Sequence, residues 1–171
     1  MSPAPRPVRL LVCGNPDRGD DGAPLEAVAG LLPGLPPHLL ADLDIRRCEQ
    51  LEIEDLIELP DGCACVVVDA ALGIAPGSVV TIPLTDVPAR DAASGPVPRS
   101  SHVLPIGQLV AIAEIMRGAP LVGSLVAVGG GAFGFGPGLG DPVRQALPGL
   151  REAIEAALID AALVPSTVGP A

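Results

Sequence analysis

The chain of 171 residues has no lysine, no tryptophan and no tyrosine, and its only phenylalanines are Phe133 and Phe135. Without an ammonium side chain, Schiff-base chemistry, a Ser-Lys dyad and a P-loop are excluded. A formal net charge of −10 argues against a nucleic-acid partner, because phosphate binding needs clustered cations. The shortage of aromatic rings removes the stacking platforms of single-strand binders. No apolar run is long enough to span a bilayer, and the Pro-rich Ser2–Pro7 stretch is not followed by a signal-peptide apolar region. A soluble cytoplasmic protein without a membrane partner is expected. The four cysteines, Cys13, Cys48, Cys63 and Cys65, form no C-x-x-C pair. They lie in or beside apolar strand-like runs and are expected as buried, reduced thiols, with a metal or redox role as the alternative.

What the chain does have is aliphatic residues: 49% of it is apolar, almost all Leu, Val, Ile and Ala. That is enough for one domain with a single aliphatic core. Short apolar runs alternate with helical patterns, which predicts an α/β fold with a mostly parallel sheet of about five strands sandwiched between helices. Strands are expected at about Val8–Cys13, Asp44–Cys48, Ala64–Asp69, Ser78–Pro83 and Leu121–Val128. Helices are expected at about Gly22–Leu32, Ile53–Leu59, Pro105–Arg117 and Pro142–Leu163. The core then runs from about 8 to 163, with short tails at 1–7 and 165–171. Between Thr85 and Leu104 the sequence is rich in Pro, Ser and Gly and is expected to be an irregular, functional or disordered loop.

Three residues with useful chemistry fall in corresponding places. Asp21 follows the turn Cys13-Gly14-Asn15-Pro16-Asp17-Arg18-Gly19-Asp20-Asp21-Gly22 at the exit of the first strand. Asp69 ends Cys65-Val66-Val67-Val68-Asp69, and His102 in Ser100-Ser101-His102 precedes a helix. In a parallel sheet the carboxyl ends of strands and the following helix N-termini share one edge, so all three can converge on one crevice. An aspartate ending a triple-valine strand needs a donor, a cation or a metal. Two carboxylates and an imidazole make a mixed O/N set with open positions, suited to nickel, zinc, iron or manganese. The structural alternatives are a capped βα loop for Asp21, backbone N–H partners for Asp69 and a surface loop for His102. Asp17 and Asp20 fit either a supporting role behind the ligands or caps. His38 reads as a loop residue, Cys13 as the one thiol near the crevice. No G-x-S-x-G elbow occurs. The Gly-rich run Gly129–Gly140 lacks a nucleotide-binding fingerprint. It reads as a loop whose two phenylalanines either grip a peptide or fold back onto the core.

Gly14-Asn15, Asp20-Asp21-Gly22, Val66-Val67-Val68-Asp69 with Pro76-Gly77 behind it, Ser100-Ser101-His102 and Gly138-Leu139-Gly140-Asp141-Pro142-Val143, in this order and spacing, resemble the [NiFe]-hydrogenase maturation endopeptidases. The resemblance runs over roughly Arg9 to Leu163. It implies that Asp21, Asp69 and His102 bind metal and that the protein is a protease. Its substrate would be the nickel-loaded precursor of a hydrogenase large subunit, from which it cuts a short C-terminal peptide. The nickel would be the precursor's own, with no permanent cofactor on the protease. A twisted sheet between helices and a monomer are also implied. The chain departs from the family pattern at Pro16-Asp17-Arg18-Gly19, where aliphatic residues are usual, and at Pro24, where glycine is common. A non-catalytic metal-binding assembly or checkpoint factor is the alternative reading. A hydrolase with its own metal is a third.

Overall fold

The computed structural model describes residues 5–93 and 104–164. The chain opens with strand β1 (Val8–Cys13), whose apolar side chains are enclosed on both faces. A 3₁₀ turn at Gly19–Gly22 leads into α1 (Ala23–Leu31), with Pro24 in its first turn, where the missing N–H has no intrahelical partner to lose. Next come α2 (Pro37–Ala41), β2 (Leu43–Cys48), α3 (Ile53–Ile57) and β3 (Ala64–Ala71). The chain then continues through β4 (Val79–Pro83), α4 (Val87–Ala93), α5 (Ile106–Arg117), β5 (Gly123–Gly129) and α6 (Asp141–Leu163).

The five strands form one sheet in the order β2-β1-β3-β5-β4. β1, β2, β3 and β5 are parallel, and β4 runs antiparallel to β5. The exception has a simple cause. Only residues 72–78 separate β3 from β4, and they turn tightly at Ala75–Ser78, where the Ser78 amide donates to the Ala75 carbonyl at 2.9 Å. A parallel return needs a crossover of a dozen residues or more, so the short turn can only send the chain back the other way.

Helices cover both faces. Val66 and Val68 of the central strand pack into one cluster with α1 and the inner stripe of α6, namely Val143, Leu147, Leu150, Ile154, Leu158 and Ala161. That three-to-four-residue spacing is the helical period of an amphipathic face. Val67 and Cys65 face the second cluster, built on Leu56, Leu84, Leu109, Val110 and Ala113 from the segments around α3, α4 and α5.

Two expected loops contain helix. The irregular segment from Thr85 begins with a 3₁₀ turn at Leu84–Asp86 and continues as α4. Leu84 and Val87 are buried in the second cluster, and that burial outweighs the Pro-rich composition read from sequence. Asp91 of α4 accepts the Gly107 amide at 2.6 Å and so ties α4 to the first turn of α5. His38 lies in the one-turn helix α2 rather than a loop, with Pro37 at its first position.

Candidate functional site

The carboxyl edge of the sheet begins at Gly14, whose φ of +139° is open to glycine alone and where a Cβ would collide with the carbonyl of Asp21. Beyond it the chain folds into a compact loop. Asn15 Oδ1 accepts the Asp17 amide at 2.9 Å, and the Asn15 carbonyl accepts the Arg18 amide at 3.1 Å. The Asn15 amide donates to Asp21 Oδ2 at 2.9 Å, which fixes that carboxylate inside the turn. The 3₁₀ turn carrying Asp21 packs against β3, the strand that bears Asp69.

Asp69 sits one residue beyond Val68, which is in register with Val12 of β1, and it is paired with Ala127 of β5. Its side chain follows Cys65 and Val67 on the face covered by α3, α4 and α5, because alternate strand residues share a face. Oδ1 of Asp69 accepts the amide of Ala70 at 2.9 Å. Asp21 and Asp69 are only 5% and 3% exposed. Two carboxylates buried at the same edge are costly unless donors or a cation compensate them. The backbone amides of Asn15 and Ala70 supply part of that, and the oxygen pair is suited to a hard or borderline metal.

Asp20, adjacent to Asp21, has a different task. Its carboxylate accepts the amides of Gly131 at 2.8 Å, Ala132 at 2.9 Å and Gly140 at 2.7 Å. Burial pushes the Asp20 carboxyl up, but the three amides outweigh it and hold the group below the ordinary carboxylate range. Further bonds join the same two segments: Asp20 amide to Ala132 carbonyl at 2.8 Å, Gly19 amide to Gly136 carbonyl at 3.0 Å, and Gly136 amide to Asp17 carbonyl at 2.9 Å. Gly19, at φ +56°, permits this approach, since a Cβ there would strike the Ala132 carbonyl. The loop bearing Asp21 and the Gly-rich segment are thus one unit. Sequence reasoning left Asp20 between support and cap; its partners lie more than a hundred residues away, and no local signal names them.

The other expected residues are distributed as follows. His102 lies outside the described residues. Among those described, no three His, Cys, Asp or Glu side chains come together as a metal site. His38 is at the opposite end of the sheet, on the wall of a separate groove with Val8 and Leu43, away from Asp21 and Asp69. The two phenylalanines part company: Phe133 packs against the core, whereas Phe135 is 92% exposed with the Arg18 guanidinium 5.4 Å from its ring centre. Cys13 is buried beside Cys48 at 3.1 Å between sulfurs. The hydrogen bond with Cys48, burial and the charge of Asp69 all push its thiol up, so it is not poised to attack a peptide substrate in the crevice. A cleft of about 310 Å³ opens beside the turn, lined by Pro16, Gly22, Leu25, Glu26, Arg47 and Leu139 among others. Pro16 and Gly19, two of the departures noted above, line this cleft.

No protein-family model matches the chain, and no curated protein matches it in sequence. Solved structures do match it in fold. The hydrogenase maturating endopeptidase HybD from E. coli superposes with a TM-score of 0.68 at 19% identity, over 90% of this chain and 92% of that one. An endopeptidase from Escherichia coli, determined in solution, gives 0.64 at 21% identity over 89% and 93%. The [NiFe] hydrogenase maturation protease HycI from Thermococcus kodakarensis gives 0.62 at 20% identity over 91% and 94%. The chain therefore shares the fold of the hydrogenase maturation endopeptidases over nearly its whole described length, the single-domain α/β sandwich expected from its sequence.

Proposed function

We propose that this chain is an endopeptidase that removes a C-terminal peptide from the nickel-loaded precursor of a [NiFe]-hydrogenase large subunit. The observation that carries the reading is the burial of Asp21 and Asp69 together at the carboxyl edge of a sheet whose fold is shared with proteases of that name. Asp21 and Asp69 offer oxygen donors from two different elements, one fixed by the Asn15 amide and the other by the strand itself. His102, four residues before α5, adds the nitrogen donor. The three together recognise the nickel that arrives as part of the substrate, so the protease needs no metal of its own. Bound there, nickel places the scissile peptide and polarises its carbonyl or a water. The cleft beside Pro16 and Leu139 takes the adjoining extended chain. The protein acts as a cytoplasmic monomer; among the described residues no helix is long and apolar enough to cross a membrane.

The test is the intact mass of a large-subunit precursor from the same organism after incubation with this protein, with and without nickel loading. Nickel-dependent loss of one discrete C-terminal peptide, absent with Asp69→Ala, is the expected result. Stable binding with no change in mass would overturn the protease assignment and leave a metal-dependent assembly factor.

A further inference from the structure

Asp20, Asp21 and Asp69 are buried at the carboxyl edge, but two thiols beside them have no part in the proposed cleavage. β1 and β2 are parallel and in register, so Cys13, the last residue of one, stands opposite Cys48, the last residue of the other. Their sulfurs are 3.1 Å apart. Neighbouring strands are about 4.8 Å apart, inside the roughly 4.4–6.8 Å between Cα atoms that a disulfide requires. Cys13 is fully enclosed, while Cys48 is partly exposed on the edge strand.

The spacing also discriminates between the two chemistries open to paired thiols. A tetrahedral zinc ion with Zn–S bonds of about 2.3 Å holds its sulfurs roughly 3.8 Å apart and needs further ligands. The observed separation is shorter, and among the described residues no third His, Cys, Asp or Glu completes such a set. A sulfur–sulfur bond needs only that the two atoms close the remaining gap by rotation and a small shift of the edge strand.

We propose that Cys13 and Cys48 are a modification site, a dithiol that closes to an intramolecular disulfide on meeting a hydroperoxide or a small-molecule disulfide. Cys48, the less buried of the two, reacts first. Its thiolate attacks the terminal oxygen of the hydroperoxide, the O–O bond breaks, and the alkoxide leaves to take up a proton as an alcohol. The Cys13 sulfur then attacks the Cys48 sulfenic acid; the S–S bond forms, the S–O bond breaks, and hydroxide departs with the Cys13 proton as water. The dithiol is oxidised by two electrons and the peroxide is reduced. With a small disulfide, Cys48 displaces one thiol to give a mixed disulfide, and Cys13 displaces the second. The new bond sits at the root of the functional turn, since the Gly14 amide donates to the Cys48 carbonyl at 3.0 Å and the next residue, Asn15, holds Asp21. The proposal rests on strand register and exposure and stands apart from the protease reading.

The experiment exposes the reduced, full-length protein to hydrogen peroxide or oxidised glutathione, then unfolds it and alkylates the remaining thiols. Mass spectrometry follows, on intact protein and on peptides. The expected wild-type product has lost two hydrogens, retains two alkylatable thiols of its four, and links the peptide containing Cys13 to Cys48. The Cys48→Ala variant, altered at a partly exposed position, keeps all its remaining thiols alkylatable under the same treatment. The Cys13→Ala variant instead accumulates a glutathione adduct on Cys48. Four alkylatable thiols in the treated wild type, an adduct on Cys48 without a cross-link, or a bond to Cys63 or Cys65 would each overturn the proposal.

Discussion

The carboxyl and amino edges of the same sheet are made of different materials. At the carboxyl edge Asp20, Asp21 and Asp69 are buried among backbone amides from the Asn15 turn, the end of β3 and the Gly-rich segment. At the amino edge the chain closes on a groove of about 270 Å³ walled mainly by Pro5, Val8, Leu39, Leu43, Leu158 and Leu163. Of the four buried charged side chains among the described residues, three belong to the carboxyl edge, and Arg6 belongs to the other. Parallel strands explain the division. Their carboxyl ends lead into loops and helix starts whose N–H groups have no partners within the element, and those donors make buried carboxylates tolerable.

That contrast can be broken most severely at Asp69. The Asp69→Asn variant keeps the shape of the side chain but loses its negative charge, and processing should fall more than about a hundredfold, beyond what altering a mere neighbour of a ligand costs. Circular dichroism should show an intact fold; unimpaired processing would remove Asp69 from the machinery. Gly14→Ala should act on stability, because the added Cβ meets the Asp21 carbonyl at a φ of +139°. A loss of about 2–4 kcal/mol in urea unfolding is expected. A loss below about 1 kcal/mol would mean that the turn relaxes easily.

Asp20→Asn is the next step down, since an amide can serve only part of the triple-donor arrangement. It should cost about 1–3 kcal/mol, read by the same unfolding experiment. Because the folded-state Asp20 carboxyl is held below its ordinary value, its stabilisation is complete above the unfolded carboxylate range near pH ~4 and is lost as pH falls through the lower folded value. The difference between wild type and Asp20→Asn should therefore be constant from neutral pH to about 5 and shrink below about 4. A difference that persists undiminished at lower pH would show that shape, not ionisation, anchors the loop. The smallest effect belongs to the amino edge. His38→Ala, at an exposed position, should change stability by less than about 0.5 kcal/mol and leave processing untouched, and a processing defect there would dissolve the contrast between the edges.

Particular residues show how much of this was readable in advance. β1 and β3 announce themselves as continuous aliphatic runs, and the sequence order alone puts Asp21 in the turn after the first run and Asp69 near the end of the second. The helix at Val87–Ala93 was not readable, because its Pro and Ala content resembles a loop until the burial of Leu84 and Val87 is known. Nor were the partners of Asp20, the contact of Cys13 with Cys48, or the opposite fates of Phe133 and Phe135, each of which depends on segments distant in the chain.

By itself the sequence determined the fold class, the approximate strands and helices, and the pair of aspartates at one edge. Hydrophobic periodicity and strand-end position are local properties, and they survive any rearrangement of distant segments. The tertiary structure alone decided that Asp20 would anchor a distant loop while its neighbour Asp21 accepts the Asn15 amide, and that two cysteines would stand sulfur to sulfur. Successive residues in a turn point in different directions, and only strand register and loop docking determine what each one meets.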